Sequence, residues 1–171
     1  MWITRRRAGL TVVVLTLTGL ARGSGAQDRP PLPDDTLITL ERTSCFGQCS
    51  VYTVSVDATG SVVYEGRQFV RVQGRHTARI APARVAALVQ EAERAGFFAF
   101  DEHYRYVKLP EGSRRYATDL PTTFVTIRSG GRSKRVEDYY GAPAGLRELE
   151  RRIDEETRVE RWRSGEQAVK K

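Results

Sequence analysis

The sequence predicts an α+β domain of two layers: a mainly antiparallel sheet of about five to six strands with two helices packed on one face. Three observations lead there. Several segments alternate apolar and polar residues with the period of a half-buried strand. Two others carry a single apolar stripe at helical spacing. The segments follow one another as strands, helix, two strands, helix, with short turns between strand neighbours. Parallel neighbours need long crossovers, so short turns imply antiparallel pairing. The same order also fits two small sheets.

The elements follow in chain order. "TLITLER", residues 36–42, is β-rich and reads as a strand. "VYTVSV", residues 51–56, puts Tyr52, Val54 and Val56 on one face and Val51, Thr53 and Ser55 on the other. "DATG", residues 57–60, is a turn with its glycine last, and "SVVYEG", residues 61–66, returns as the next strand. Residues 67–80 read as a continuation or a further hairpin, interrupted at Gly74. Pro82 opens a helix where its missing N–H does no harm. Val85, Leu88, Val89 and Ala92 form its stripe, and Gly96 is a natural stop. "FFAF" at 97–100 then plugs the helix end into the core.

Residues 101–121, "DEHYRYVKLPEGSRRYATDLP", show no clean period and read as a long loop. Loops of this length inside compact domains are usually functional or mobile. "TTFVTIR", residues 122–128, is a strand with Thr123, Val125 and Ile127 on one side; "SGGR" turns the chain and "SKRVEDYY", residues 133–140, runs back. Pro143 opens a second helix with Leu146, Leu149 and Ile153 on one face. Arg147, Glu148, Glu150, Arg151, Arg152 and Glu155 make its solvated remainder.

The N-terminus reads as an export signal. Arg5, Arg6 and Arg7 precede the apolar run 8–20, and Ser24 and Ala26 offer an A-x-A-like cleavage site. The run is shorter than the roughly 20 residues a membrane span needs. Thr4, Arg5 and Arg6 also fit a twin-arginine signal, although a plain basic region explains the same letters. The expected organisation is therefore a signal peptide at 1–26, a proline-rich flexible linker at 27–35, one domain at 36–163 and a disordered tail at 164–171. The expected location is the periplasm or medium of a bacterium, with no membrane span after cleavage. Removing the four arginines before Gln27 leaves 24 basic against 21 acidic residues, so most of the apparent +7 belongs to the signal. A nucleic-acid footprint would survive that correction, and none is expected.

"SCFGQCSVY", residues 44–52, holds both cysteines of the chain, Cys45 and Cys49. In an extended strand their Cα atoms would lie about 13 Å apart at ~3.3 Å per residue, whereas a disulfide needs roughly 4.4–6.8 Å. A bond demands that the chain turn back, and Gly47 supplies the freedom for it. An oxidising compartment favours a structural disulfide, and a five-residue ring would stabilise by about 2 kcal/mol through chain entropy. A redox pair is the sharper alternative, since a tight exposed ring is labile. It lacks the C-x-x-C spacing and the helix start that steady a thiolate. A Cys₂His₂ zinc set exists on paper with His76 and His103, but the histidines show no paired spacing. No metal and no cofactor are expected.

"RTSCFGQCSVY" and "TDLPTTFVTIRSGGRSKRVEDYYGAP" resemble a bacterial family of exported proteins with a C-F-G-x-C-P-x-Y signature, a domain of unknown function. The resemblance spans most of residues 37–153 and rests on Cys45, Phe46, Gly47, Cys49 and Tyr52. Ser50 departs from it, standing where the family has proline, which removes a fixed φ after the second cysteine. The resemblance implies a small exported domain and no reaction.

The chain carries no G-x-S-x-G, H-E-x-x-H, S-x-x-K or phosphate-binding glycine loop. Asp101, Glu102, His103 and Asp119 would form an acid–base set only if the long loop folded back. The better surface is in that loop, where His103, Tyr104, Arg105, Tyr106, Arg114, Arg115, Tyr116 and Asp119 interleave aromatic and charged groups suited to sugars or anions. Tyrosines lying on a sheet edge with arginines in water would give the same letters. The expectation is a non-enzymatic, monomeric binding or interaction domain for an unknown protein or envelope ligand. The alternative is a thiol–disulfide redox protein using Cys45 and Cys49.

Overall fold

In the computed structural model, residues 31–164 are described. The expected signal peptide, the first residues of the linker and the tail beyond Ser164 lie outside them.

Seven strands form one sheet, in the order β4-β3-β2-β1-β8-β9-β5. They are β1 Leu37–Arg42, β2 Val51–Asp57, β3 Ser61–Gln68, β4 Gly74–Arg79, β5 His103–Arg105, β8 Thr123–Ser129 and β9 Arg132–Tyr140. Between β5 and β8, β6 Val107–Lys108 and β7 Arg114–Arg115 make a small hairpin of their own. The helices are α1 Pro82–Ala95, α2 Ala144–Thr157 and the short α3 Glu160–Arg163. The architecture is α+β, a mainly antiparallel sheet with α1 and α2 in contact with each other.

Strand alternation sets the core. Ile38 and Leu40 of β1, Tyr52, Val54 and Val56 of β2, and Val125 and Ile127 of β8 point to one side and are buried. They meet Val85, Leu88 and Ala92 of α1 and Leu146, Leu149 and Ile153 of α2. Each fully buried aliphatic side chain of this kind contributes roughly 1.5–3 kcal/mol. Val89 of the expected stripe is only partly buried. Gly96 ends α1 in the left-handed conformation, φ 75°, and its N–H bonds the carbonyls of Ala92 and Glu93. Phe97 then starts a 3₁₀ turn, Phe97–Ala99, and is fully buried. At the other end of the sheet Gly60, φ 81°, sits so close to the Ile80 carbonyl that a Cβ would lie 2.1 Å from it.

Two findings differ from the sequence reading and one decides between its alternatives. The stretch 101–121 is not one structureless loop. It contributes β5, which pairs parallel to β9, and the β6–β7 hairpin. The sheet therefore has seven strands and one parallel edge. The parallel pair is possible because β5 is reached from β9 through the long path over β6, β7 and β8. Of the two readings open for residues 67–80, the hairpin holds: β4 pairs antiparallel with β3, with Gly74 opposite Gly66. Glu150, expected in solvent, is buried at 6 % exposure. The helical stripe of α2 continues past its apolar residues onto a polar end of the sheet, where partners for a carboxyl group exist.

Candidate functional site

Antiparallel pairing puts several connections at one end of the sheet. The β1–β2 connection (43–50), the β3–β4 connection (69–73), and the segment that leads into β8 all lie there. So does the C-terminal end of β9, where parallel β5 delivers the chain to β6. The cysteines occupy the first of these connections.

Cys45 and Cys49 stand at disulfide distance, with Cα atoms 5.7 Å apart. The ring turns on Gly47, φ 154°, whose N–H bonds the Cys45 carbonyl at 2.9 Å. Phe46 N–H donates to the Asp119 carbonyl at 3.3 Å, which joins the ring to the segment before β8. Ser50 Oγ donates to the Phe69 carbonyl at 2.8 Å, which joins it to the β3–β4 connection. A proline at that position would have no hydroxyl for this bond.

Phe46 projects from the ring at 89 % exposure. Phe69, Leu120 and Tyr116 are the other exposed large apolar side chains among the described residues, and all belong to connections at this end. Along the chain, Arg67 and Arg71 flank Phe69, Arg114 and Arg115 directly precede Tyr116, and Asp119 precedes Leu120. This end of the sheet thus has an exposed apolar tip with arginines close by in the chain.

Under that tip lies a polar cluster between sheet and α2. Cross-strand register aligns Tyr52 with Arg42, Arg42 with Thr123, and Thr123 with Asp138. Arg42 donates to the Tyr52 hydroxyl at 2.9 Å, to Thr123 Oγ1 at 3.0 Å and to Asp154 Oδ2 at 2.8 Å. Tyr52 donates to Asp154 Oδ1 at 2.8 Å. Glu150 Oε2 stands 3.7 Å from Arg42, and its Oε1 finds no partner as an ionised group. Burial, chiefly, pushes the Glu150 carboxyl up to about 8, with the nearby Asp138 and Asp154 carboxylates adding to the effect against Arg42. Burial also raises Asp138, and the two carboxyls are within hydrogen-bonding reach. Protonated, Glu150 can act as a donor toward Asp138. Burial opposes the charge on Arg42, but Asp154, the Tyr52 hydroxyl and Glu150 hold it charged, well above its ordinary range. Burial and Asp154 raise the Tyr52 phenol, so it remains a donor.

The expected loop surface divides in two. His103 and Arg105, on β5, both bond Glu137: His103 Nδ1 at 2.9 Å, Arg105 through Nε at 2.7 Å and NH2 at 2.6 Å. The Arg105 bond is the chief reason Glu137 is held below its ordinary range, with His103 helping. Tyr104 accepts the Asp101 N–H and meets Phe100 edge-on. The second group is the β6–β7 hairpin, where Tyr106 and Tyr116 approach at 5.6 Å and Arg114 covers the Tyr106 ring at 4.4 Å. Arg115 is exposed beside them. Asp119 offers its carbonyl to Phe46 rather than joining His103.

Within the cysteine segment 45–52, Phe46 and Gly47 face out, while Tyr52 is fully buried. His76, on edge strand β4, bonds the Gln73 carbonyl, and His103 lies on the opposite edge, so the two never approach. Among the described residues no group of three His, Cys, Asp or Glu side chains is gathered to hold a metal. Sequence reasoning missed Arg42, Asp138, Glu150 and Asp154. The one usable signal was Arg42 itself, an arginine at the inward-facing position of its strand.

A family model described as Domain of unknown function (DUF6438) matches residues 36–157. The chain belongs to the DUF6438 family. No curated protein matches it. The match starts just before β1 and ends with α2, so it contains the cysteine ring and the whole Arg42 cluster. The short α3 lies beyond the segment that defines the DUF6438 domain. No helix among the described residues is long and apolar enough to cross a membrane.

Proposed function

We propose that this DUF6438 chain is an exported bacterial recognition domain, without catalytic activity, that contacts an envelope partner through the cysteine end of its sheet. The observation that carries this reading is Phe46, 89 % exposed on a ring whose cysteines are at disulfide distance. A phenylalanine in water forgoes its burial free energy, and a ring that holds it there lowers the entropy lost when a partner covers it. Phe69, Leu120 and Tyr116 extend the apolar tip, and the arginines close by in the chain favour a partner with acidic groups around an apolar pocket. The N-terminal basic, apolar and small-residue order supports export, and export supplies the oxidising compartment in which the ring closes.

In-cell photo-crosslinking tests it. A crosslinking residue at position 46 is expected to give a discrete adduct in the cell envelope, and one at Arg94 on α1 none. Loss of the adduct in a Cys45→Ser, Cys49→Ser chain would support the ring as the presenting device. Equal labelling from both positions, or a chain that retains residues 1–26 in the cytoplasm, overturns the reading. The thiol-redox alternative is separated by the reduction potential of the pair: below about −300 mV marks a structural bond, and near −180 mV an active one.

A further inference from the structure

The open side of β9 is only half covered. Edge strand β5 begins opposite Glu137, so residues 132–136 of β9 have no strand beyond them. Glu137 N–H donates to the Glu102 carbonyl at 2.8 Å, which places that N–H on the side away from β8. Antiparallel pairing alternates inward and outward residues. The N–H and C=O groups of Ser133 and Arg135 therefore also point outward. The two-residue turn agrees: Gly130 and Gly131, with φ of 61° and 74°, close on the pair Ser129 and Arg132, as a tight hairpin requires. Among the described residues neither outward N–H has a hydrogen-bond partner.

A cleft of about 620 Å³ runs along this bare edge. Phe98 and Arg132 line it on the helix side, Phe124 and Arg135 on the open face, with Ser133 and Lys134 between. The Arg132 guanidinium lies over Phe98 at 4.0 Å and that of Arg135 over Phe124 at 4.1 Å, so both are held flat and in place. Arg132 also pairs with Glu93 of α1, and Arg135 with Glu41 of β1. Lys134 has no ion-pair partner among the described residues.

We propose that residues 132–136 of β9 are a docking edge for an extended acidic segment of a partner protein, which adds to the sheet in line with β5. Bare N–H and C=O groups at strand spacing call for a main chain, and five residues give about 17 Å of edge at ~3.4 Å each. Successive side chains of an added strand point to opposite faces. Arg132 and Lys134 stand on one face, whereas on the other Arg135 is turned across Phe124 toward Glu41 of β1, so a segment that alternates acidic and apolar residues meets positive charge on one side and an aromatic surface on the other. A second copy of this chain is a poor occupant. The other free edge, β4, carries Arg75, His76 and Arg79, and two basic edges repel. This edge is separate from the cysteine end, and its test does not depend on that surface.

The test is amide NMR on the full chain with three probes. They are a capped octapeptide of alternating valine and glutamate, its lysine counterpart, and a fully N-methylated form of the glutamate peptide. The glutamate peptide is expected to shift the Ser133 and Arg135 amides, slow their hydrogen exchange at least tenfold, and bind at least tenfold more tightly than either other probe. Ser133→Pro removes only an outward N–H, which an edge strand tolerates. It is expected to cut binding tenfold with an unchanged melting midpoint. If that variant does not fold, Lys134→Glu carries the test and is expected to invert the preference toward the lysine peptide. The proposal fails if the glutamate peptide leaves those two amides unmoved or if the three probes bind alike. It also fails if the chain alone dimerises with both amides protected.

Discussion

The Tyr52 hydroxyl donates to Asp154 Oδ1 at 2.8 Å, joining the strand that leaves the cysteine ring to the last turn of α2. The Tyr52 hydroxyl oxygen in turn accepts from Arg42 Nε at 2.9 Å, so one phenol completes a three-way junction of β1, β2 and α2. The two aromatic residues of the cysteine segment thus work in opposite directions, Phe46 into solvent and Tyr52 into the seam.

That division predicts opposite mutational outcomes. Tyr52→Phe keeps the ring but leaves Arg42 and Asp154 each short of a bond, and hydrogen bonds to charged groups are worth about 1.5–3 kcal/mol. Urea denaturation is expected to show a loss of about 2 kcal/mol. Phe46→Ser changes a side chain that touches little and is expected to stay within about 0.5 kcal/mol of the parent. A large loss in the serine variant would mean that Phe46 is a packing residue.

Glu150 gives the stability a particular pH dependence. Its folded value, about 8, lies above the ordinary 4.5, so between those limits the folded chain holds a proton that the unfolded chain releases. The stabilisation is complete below about 4.5 and is lost as pH rises through 8. Arg42 from β1, Asp138 from β9 and Asp154 from α2 all act on this carboxyl. Carboxylates held low, such as Glu137 and Asp57, act in the opposite sense and below about 4.5, so the windows separate. Glu150→Gln supplies a permanent donor. Melting curves from pH 5 to 9 are expected to fall for the parent and to be flatter for the variant, with the variant the more stable at pH 9. Parallel curves would place Glu150 outside the coupling.

The parts of this fold that were legible are those decided by local periodicity. Tyr52, Val54 and Val56 alternate because one face of β2 is buried, and Thr123, Val125 and Ile127 do the same in β8. Pro82 and Gly96 bound α1 through their own backbone geometry. What stayed hidden depends on distant partners. β5 is three residues long and exists only because β9 offers Glu137 and Asp138 beside it. Glu150 looks like any helix-surface glutamate until Arg42 and Asp138 are placed beneath it. Phe69 and Leu120 read as ordinary loop residues. Only the sheet topology shows that they share an end with Phe46.

The cysteine ring is predicted to add stability rather than to define the fold. A five-residue ring is worth about 2 kcal/mol in chain entropy, and Tyr52 secures the following strand independently. Replacing both cysteines with serine is expected to lower stability by about that amount while leaving the amide NMR spectrum of the sheet intact. Alkylation without reductant, read by mass spectrometry on envelope material, is expected to label neither thiol. Free labelling of both would show that the ring is open in the cell.

The last prediction concerns the segment beyond the family match. Arg158, in the left-handed conformation at φ 56°, ends α2 and turns the chain into α3. There Trp162 stacks on Tyr64 at 4.8 Å, while Arg161 covers a face of the indole at 4.1 Å. The carbonyls of Trp162 and Arg163 accept the N–H groups of Val72 and Arg71, so α3 also pins the β3–β4 connection that presents Phe69. Trp162→Ala removes the lid from Tyr64 and leaves a cavity beside the sheet, a change that typically costs about 3–5 kcal/mol. Thermal or urea unfolding measures it, and hydrogen exchange at Arg71 and Val72 is expected to quicken. Trp162→Phe restores much of the apolar contact and is expected to recover most of the loss. If the alanine variant is as stable as the parent, α3 is an appendage and the domain ends with α2.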